Sequence, residues 1–306
     1  MKDMSETLRE LMDRRQVVGK YHQMINAAVA DPEVQAWLHT NADKLAPDAS
    51  RRGAAKIYEF VQQRDKYHNG IQTFAPGYRP QLVVTNAQID IAYEPTKEKL
   101  AEDKRNDQRQ LVKAINMPKA IAEASFDDYA PEDRVDALGA AIEFTAEMTQ
   151  TPDQFHKGLY LTGAFGRGKT YLLGAIANEL AKQGIGSTLI HVPTFAVEMK
   201  AAIQTNSVLP KTNAIKTAQV LMLDDIGAEA LSPWFRDEVL GIILQYRLQE
   251  ELPTMFSSNK TMAELGRYLA GADRGDNEAL KAQRIMERVR FLASEYVVGG
   301  RDRRNG

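Results

Sequence analysis

Residues 158–180, "GLYLTGAFGRGKTYLLGAIANEL", join an apolar strand candidate to an amphipathic helix candidate through a glycine-rich turn. The turn fits G-x-x-x-x-G-K-[ST] at Gly163, Gly168, Lys169 and Thr170. A phosphate cradle needs this composition. Glycines let backbone N–H groups converge on an anion with no Cβ in the way, and the positive end of the following helix adds to the attraction. In such a turn the lysine meets the β- and γ-phosphates and the threonine ligates Mg²⁺. A turn that is glycine-rich for geometry alone is the plainer explanation, and the strand before it and the helix after it weigh against that.

At 306 residues and 43% hydrophobic content the chain can build a sizeable core, and two domains are expected. The formal net charge of −2 gives no global basic field, so any contact with nucleic acid must be local. With no cysteine there is neither a disulfide nor a thiolate metal site. His22, His39, His68, His156 and His191 are scattered without i, i+4 ligand spacing, so no zinc is expected. The start "MKDMSETLRE" lacks an apolar segment and no run of 18 apolar residues occurs, which reads as a soluble cytoplasmic protein with no membrane partner.

Residues 1–68 read as helical. "SETLRELMDRR" carries a capping-box start at Ser5 with Leu8, Leu11 and Met12 on one face, and Asp31-Pro32 and Ala46-Pro47 break the run. "PGYRPQLVV" and "IDIAYEP" then read as a small β element with hairpin character. The charged stretch "TKEKLAEDKRNDQRQLVKAI" is too polar all round for a core helix. The division is therefore a smaller, mostly helical N-terminal domain over 1–96, a linker or exposed helix over 97–125, and a larger domain over 126–306. In the last of these, short continuous apolar strands ("GLYLT", "STLIHV", "AQVLMLDD", "LPTMFSSN", "EYVVGG") alternate with helices. That pattern predicts an α/β fold, a parallel sheet flanked by helices, with ligands at the carboxyl ends of the strands.

Three further features gather around the cradle. "VLMLDD" is an apolar strand ending in Asp224 and Asp225, and buried strands rarely end in paired carboxylates without a cation nearby. Asp224 suits the Mg²⁺ held by Thr170, and Asp225 suits the orientation of an attacking water, although a helix-capping turn would use the same acids. "TMFSSN" ends in Asn259, whose amide can hold a γ-phosphate oxygen and a water together. Near the C-terminus Lys281, Arg284, Arg288, Arg290, Arg301, Arg303 and Arg304 outnumber Glu287, Glu295 and Asp302. One of these arginines is expected to reach a γ-phosphate, within the chain or across a subunit boundary, and others to touch nucleic-acid phosphates; a solvated helix face is the plainer alternative.

With these residues in view, "GLYLTGAFGRGKTYLLGAIANEL", "VLMLDDIGAE", "FSSN" and "RIMERVRF" resemble an AAA+ ATPase of the helicase-loader branch, related to the DnaC and IstB-like proteins. The whole layout, with "PGYRPQLVVTNAQIDIAYEP" as its weaker signature, resembles the DnaI-type primosomal loaders of Gram-positive bacteria. The resemblance implies an AAA+ P-loop domain that uses ATP and Mg²⁺. Its nucleotide loop would be Gly163, Ala164, Phe165, Gly166, Arg167, Gly168, Lys169 and Thr170, followed by Tyr171, with Thr170 and Asp224 at the metal. Asp224 and Asp225 would be the Walker B acids, Asn259 the sensor 1 residue, Arg288 the arginine finger, and Arg303 or Arg304 the sensor 2 arginine. It further implies a replicative hexameric helicase gripped by the N-terminal domain, single-stranded DNA met by the AAA+ domain, and self-association or assembly on the helicase.

Two departures stand out. DnaI-type N-terminal domains are expected to hold zinc near residues 67–101, yet cysteine is absent; packing of Tyr67, Ile71, Phe74 and Tyr78 is one way to replace it, and a more divergent domain is the other. The acidic pair is Asp-Asp where most AAA+ proteins carry Asp-Glu, which predicts slow hydrolysis suited to a switch. A small-molecule P-loop kinase lacks its arginine-rich lid here. An IstB-like transposition-accessory ATPase and a nucleotide-regulated adaptor with negligible turnover remain alternatives.

Overall fold

The computed structural model describes residues 19–115, 117–228, 231–271 and 276–303. The helix start expected at Ser5, with Leu8, Leu11 and Met12, lies outside the described residues, as does Arg304. Contacts group the chain into two units, Met1–Lys104 and Arg105–Gly306.

The first unit is a set of helices against a hairpin. Helix α1 (Pro32–Thr40) starts where Asp31 accepts from the backbone N–H of Glu33 and Val34 at 3.0 and 3.3 Å, with Pro32 pre-setting φ in the first turn. After α2 (Ala49–Arg52), Arg64 of α3 (Ala54–His68) reaches back and donates to both oxygens of Asp31 at 2.8 Å. Strands β1 (Tyr78–Thr85) and β2 (Gln88–Pro95) pair antiparallel across Asn86 and Ala87, which both adopt positive φ (50° and 57°). Two left-handed residues give a two-residue turn the twist that antiparallel strands require. Leu82 and Ile89 close this hairpin onto Ile57, Phe60 and Val34, the centre of the unit's core.

That core corrects one sequence expectation. Tyr67, Ile71 and Phe74 do not pack in place of a metal: they are 37%, 57% and 80% exposed, and Tyr78 opens β1 opposite Pro95. The reason is local. The stretch between α3 and β1 is turns, with Gly70 and Gly77 at φ of 66° and 82°, and the aliphatic face of the hairpin has already covered Ile57 and Phe60.

Helix α4 (Lys97–Leu111) carries no buried residue and leads directly into β3 (Val112–Ile115). In the second unit the order continues as α5 (Val135–Gln150), β4 (Gly158–Thr162), α6 (Lys169–Lys182), β5 (Ser187–His191), α7 (Val192–Ala202), α8 (Val208–Lys216) and β6 (Val220–Asp224). A π-helical turn (Phe235–Leu240) runs into α9 (Gly241–Gln249), followed by β7 (Thr254–Ser258), α10 (Met262–Ala270), α11 (Asp276–Leu292) and β8 (Ala293–Val297). The six strands form one parallel sheet in the order β3-β5-β6-β7-β4-β8. Its edge strand β3 lies within 97–125, the stretch whose polarity predicts a linker.

Alternation along the strands explains why the sheet is covered on both faces. Leu221, Leu223, Tyr160 and Phe256 face Ile243, Leu265 and Val289, whereas Val220, Met222, Leu161 and Met255 face Leu172, Ile176 and Phe144. At the amino ends of the strands, fully buried Arg247 of α9 donates to the carbonyls of Lys216, Ala218 and Pro253 and to the Thr254 hydroxyl. At the carboxyl ends, β4, β5, β6 and β7 deliver Thr162, His191, Asp224 and Ser258 to one edge.

The Asp31 clamp gives a measurable term. The Arg64 guanidinium, assisted by the two helix N–H groups, holds the Asp31 carboxyl below the usual carboxylate range. A depressed folded value stabilises the unit above the unfolded value of about 4, and the contribution is lost as pH falls below that. Asp31→Ala is expected to destabilise the N-terminal unit by about 1–2 kcal/mol at neutral pH, with the difference from wild type shrinking in acid. Urea unfolding followed by circular dichroism at pH 7 and pH 3 checks both halves; an equal loss at the two pH values contradicts the ionic part.

Candidate functional site

Each part of the site is carried by a strand end. Leaving β4, the chain turns through residues 163–168 into α6, whose N-cap is Gly168 at φ 87° and ψ 20°. A side chain there would be strained by backbone alone, and its Cβ would also meet the Arg134 guanidinium and the Tyr129 ring. Gly166, at φ 74°, is likewise backed closely by Asp302. Lys169, buried in the first turn of α6, donates from Nζ to the carbonyls of Gly163 and Ala164 at 2.7 and 2.9 Å.

Thr170 and Asp224 meet. The threonine Oγ1 lies 2.9 and 3.0 Å from the two carboxylate oxygens of Asp224. Asp224 is only 3% exposed, and Ser257 Oγ donates to its Oδ1 at 2.5 Å. Burial pushes the Asp224 carboxyl above the usual carboxylate range, against the pull of the Ser257 and Thr170 hydroxyls. Ser257 also accepts from the backbone N–H of Asp225 at 3.0 Å, so one hydroxyl fixes both acids. Asp225 takes a left-handed φ of 62°, and its Oδ2 lies 3.9 Å from His191 Nε2, whose Nδ1 is 2.8 Å from Thr194 Oγ1.

These groups line a cavity of about 830 Å³. The lining includes Lys169, Thr170, Asp224 and Asp225 together with the apolar side chains of Met117, Pro118 and Ile121. The C-terminal segment laps the loop: the backbone N–H of Arg303 donates to Gly166 at 3.0 Å, and its guanidinium pairs with Glu132 at 3.2 Å. Phe165, Gly166, Arg167, Gly168 and Tyr171 also line the cavity.

Two predicted residues stand apart from this group. Asn259 follows β7 beside the loop, where Gly163 N–H bonds the Ser258 carbonyl, but its side-chain oxygen accepts from Lys260 Nζ at 3.5 Å and it is not among the lining residues. Arg288 on α11 donates to the Gly241 carbonyl at 2.8 Å, half-buried and away from the cavity of its own chain. Burial lowers its pKa, with Arg284 adding like-charge repulsion. Sequence reasoning missed Ser257, His191, Tyr129 and Arg134. A serine inside the apolar strand "TMFSSN" was the one available signal.

The residues fit a magnesium nucleotide. A hydroxyl and a buried carboxylate share one position, an ammonium and a glycine cradle adjoin it, and the donor set is all oxygen, as a hard cation prefers.

Comparison with known proteins finds similarity in both parts of the chain. Residues 1–93 match the family "Primosomal protein DnaI N-terminus", and residues 79–293 match "IstB-like ATP binding protein". Over 314 aligned positions, covering 100% of each chain, the sequence is 35% identical to the replicative helicase loader DnaI of Bacillus subtilis (strain 168). The chain belongs to the DnaI family. A crystal structure of DnaI is 42% identical, with a TM-score of 0.55, and covers 64% of this chain and 99% of that one. The replicative helicase loader DnaC of Escherichia coli (strain K12) is 25% identical over 178 residues, 57% of this chain and 66% of DnaC. The strand ends that carry the loop and the acids thus sit in the ATP-binding half of a DnaI-type chain.

The buried acid should reveal itself in stability. Asp224→Asn keeps acceptors for Thr170 and Ser257 while removing a charge that burial disfavours, so the nucleotide-free protein is expected to melt roughly 2–4 °C higher, about 1 kcal/mol. Differential scanning calorimetry without nucleotide reads this directly. A lower melting temperature would mean that the carboxylate stabilises the fold and is not held there against its burial.

Proposed function

We propose that this chain is an ATP-dependent loader that delivers the replicative hexameric helicase onto single-stranded DNA during replication initiation or restart. The observation that carries it is the meeting of Thr170 with Asp224 beside Lys169, in a chain that matches the DnaI helicase loader along its full length. Residues 1–96 grip the helicase, 112–306 form the ATPase with β3 as its edge strand, and α4 (Lys97–Leu111) joins them.

In this reading the backbone of Gly163–Thr170 holds the phosphates, with Ala164, Phe165, Gly166, Arg167, Gly168 and Tyr171 shaping the loop. Thr170 and Asp224 hold Mg²⁺, which when bound neutralises charge on the β- and γ-phosphates. Lys169 exchanges its carbonyl partners for phosphate oxygens at little cost in position. Asp225 orients the attacking water, Asn259 at the end of the neighbouring strand senses the γ-phosphate, and Arg303 contributes from the C-terminal segment. Met117, Pro118 and Ile121 receive the base. Because Asp225 is one methylene shorter than glutamate, water stands less favourably for attack and turnover is slow, as a timing switch requires.

Arg288 acts in trans. Its place outside its own chain's cavity is consistent with service to a neighbouring subunit, where a guanidinium stabilises charge that builds during phosphoryl transfer. Turnover then depends on assembly on the helicase or along DNA. The segment matching IstB-like proteins leaves a transposition-accessory role as the second reading, and the N-terminal match to DnaI favours helicase loading.

ATP turnover measured with helicase and single-stranded DNA tests the scheme. Lys169→Ala is expected to lose ATP binding by about a hundredfold or more. Arg288→Ala should bind ATP normally and lose about a thousandfold in assembled turnover. Normal hydrolysis by assembled Arg288→Ala removes the trans-arginine role, and turnover near zero for wild type under every condition, with helicase binding intact, makes the chain an adaptor.

A further inference from the structure

Arg134 is a buried cation that pairs with no carboxylate among the described residues. It stands at the start of α5 with 3% of its surface exposed, and donates from Nε to the Ala130 carbonyl at 2.6 Å and from Nη1 to the Arg167 carbonyl at 2.7 Å. Its guanidinium lies 3.7 Å over the ring of Tyr129. Among the described residues it enters no ion pair. Arg236, equally buried, is matched by Asp237 and Glu278, and Arg247 is satisfied by four acceptors. Two carbonyls and an aromatic face return only part of the hydration that a guanidinium gives up on burial.

What lies in front of Arg134 is the glycine loop. A Cβ on Gly168 would come within 2.6 Å of Arg134 Nη1, so the guanidinium is seated directly behind that glycine. In a trans peptide the C=O and N–H point in opposite directions. Arg134 draws the Arg167 carbonyl toward itself, and the Gly168 N–H of the same peptide is thereby turned the other way. Arg134, Arg167 and Gly168 all line the cavity.

We propose that Arg134 is a positioning residue of the phosphate site: it fixes the Arg167–Gly168 peptide so that the Gly168 N–H faces the diphosphate, and the bound anion supplies the negative charge that no carboxylate among the described residues provides. Arg134 has this role only if the loop holds ATP, the reading proposed above. Sequence places the residue 33 positions before Arg167, on a different segment, so the loop motif alone does not include it. Tyr129 completes the seat: its ring meets the guanidinium at 3.7 Å and stacks with the ring of Tyr171, at the start of α6, at 6.2 Å.

The test compares a ligand that has the diphosphate with one that lacks it. Dissociation constants for ADP and for adenosine are measured on full-length wild type, Arg134→Lys and Lys169→Ala, with the melting temperature of each unliganded protein. Arg134→Lys is expected to weaken ADP at least tenfold and adenosine less than threefold, with the unliganded melting temperature little changed. Where the lysine variant does not fold, Arg134→Gln takes its place with the same expectation. An ADP affinity within twofold of wild type overturns the role, and so does an equal loss for ADP and adenosine, the mark of general loosening. If Lys169→Ala loses ADP while Arg134→Lys keeps it, the ATP reading stands and Arg134 alone is wrong. If wild type itself fails to bind ADP, both fall.

Discussion

The nucleotide-binding unit turns on one buried carboxylate. Asp224 sits at the end of a central strand with almost no access to water, where an acid needs hydrogen-bond donors or a cation to remain. Its donors arrive from two other segments, Ser257 from β7 and Thr170 from the first turn of α6. Satisfying it therefore requires β6 beside β7 and requires α6 to begin against the edge of the sheet, which the chain can achieve only through the tight turn at residues 163–168. The same Ser257 hydroxyl that steadies Asp224 anchors the backbone of Asp225. The second acid is thus placed by the first acid's partner.

This dependence explains what could be read from the sequence. The loop is contiguous, and its glycines, lysine and threonine are legible because one peptide stretch makes the whole cradle. The strands β4 to β8 are short apolar runs, and the acids end one of them, so the parallel sheet and its helices were visible in hydrophobic pattern alone. Ser257, His191 and Arg134 were not. Each gains its role from register or packing between distant segments: His191 stands opposite Asp224 only because β5 pairs with β6, and Ser257 reaches Asp224 across 33 positions and Asp225 across 32. Strand β3 escaped notice because "VKAI" follows a charged helix and has no buried residue to give it an apolar run.

The first unit shows a different economy of means. Its sequence has no cysteine, and its core rests on Ile57, Phe60, Leu82 and Ile89 with the Asp31–Arg64 clamp fixing the start of α1. Of the residues that one reading offered as a substitute core, Tyr67, Ile71 and Phe74 lie exposed, so chemistry inferred from a missing ligand set is a poorer guide here than hairpin alternation. Family membership over the full chain is compatible with this, because 35% identity preserves a fold while leaving room for local differences in how a small core is closed.

The central claim, that Thr170 and Asp224 form a single seat for the metal of a bound nucleotide, is tested most directly by a double-mutant cycle. ATP dissociation constants are measured for wild type, Thr170→Val, Asp224→Asn and the double variant, with Mg²⁺ and again with chelator. With Mg²⁺ the two substitutions are expected to be non-additive, the double variant binding no more than about twofold worse than the weaker single variant, and the coupling should vanish in chelator. Additive losses in Mg²⁺, or a coupling unchanged by its removal, would contradict the account.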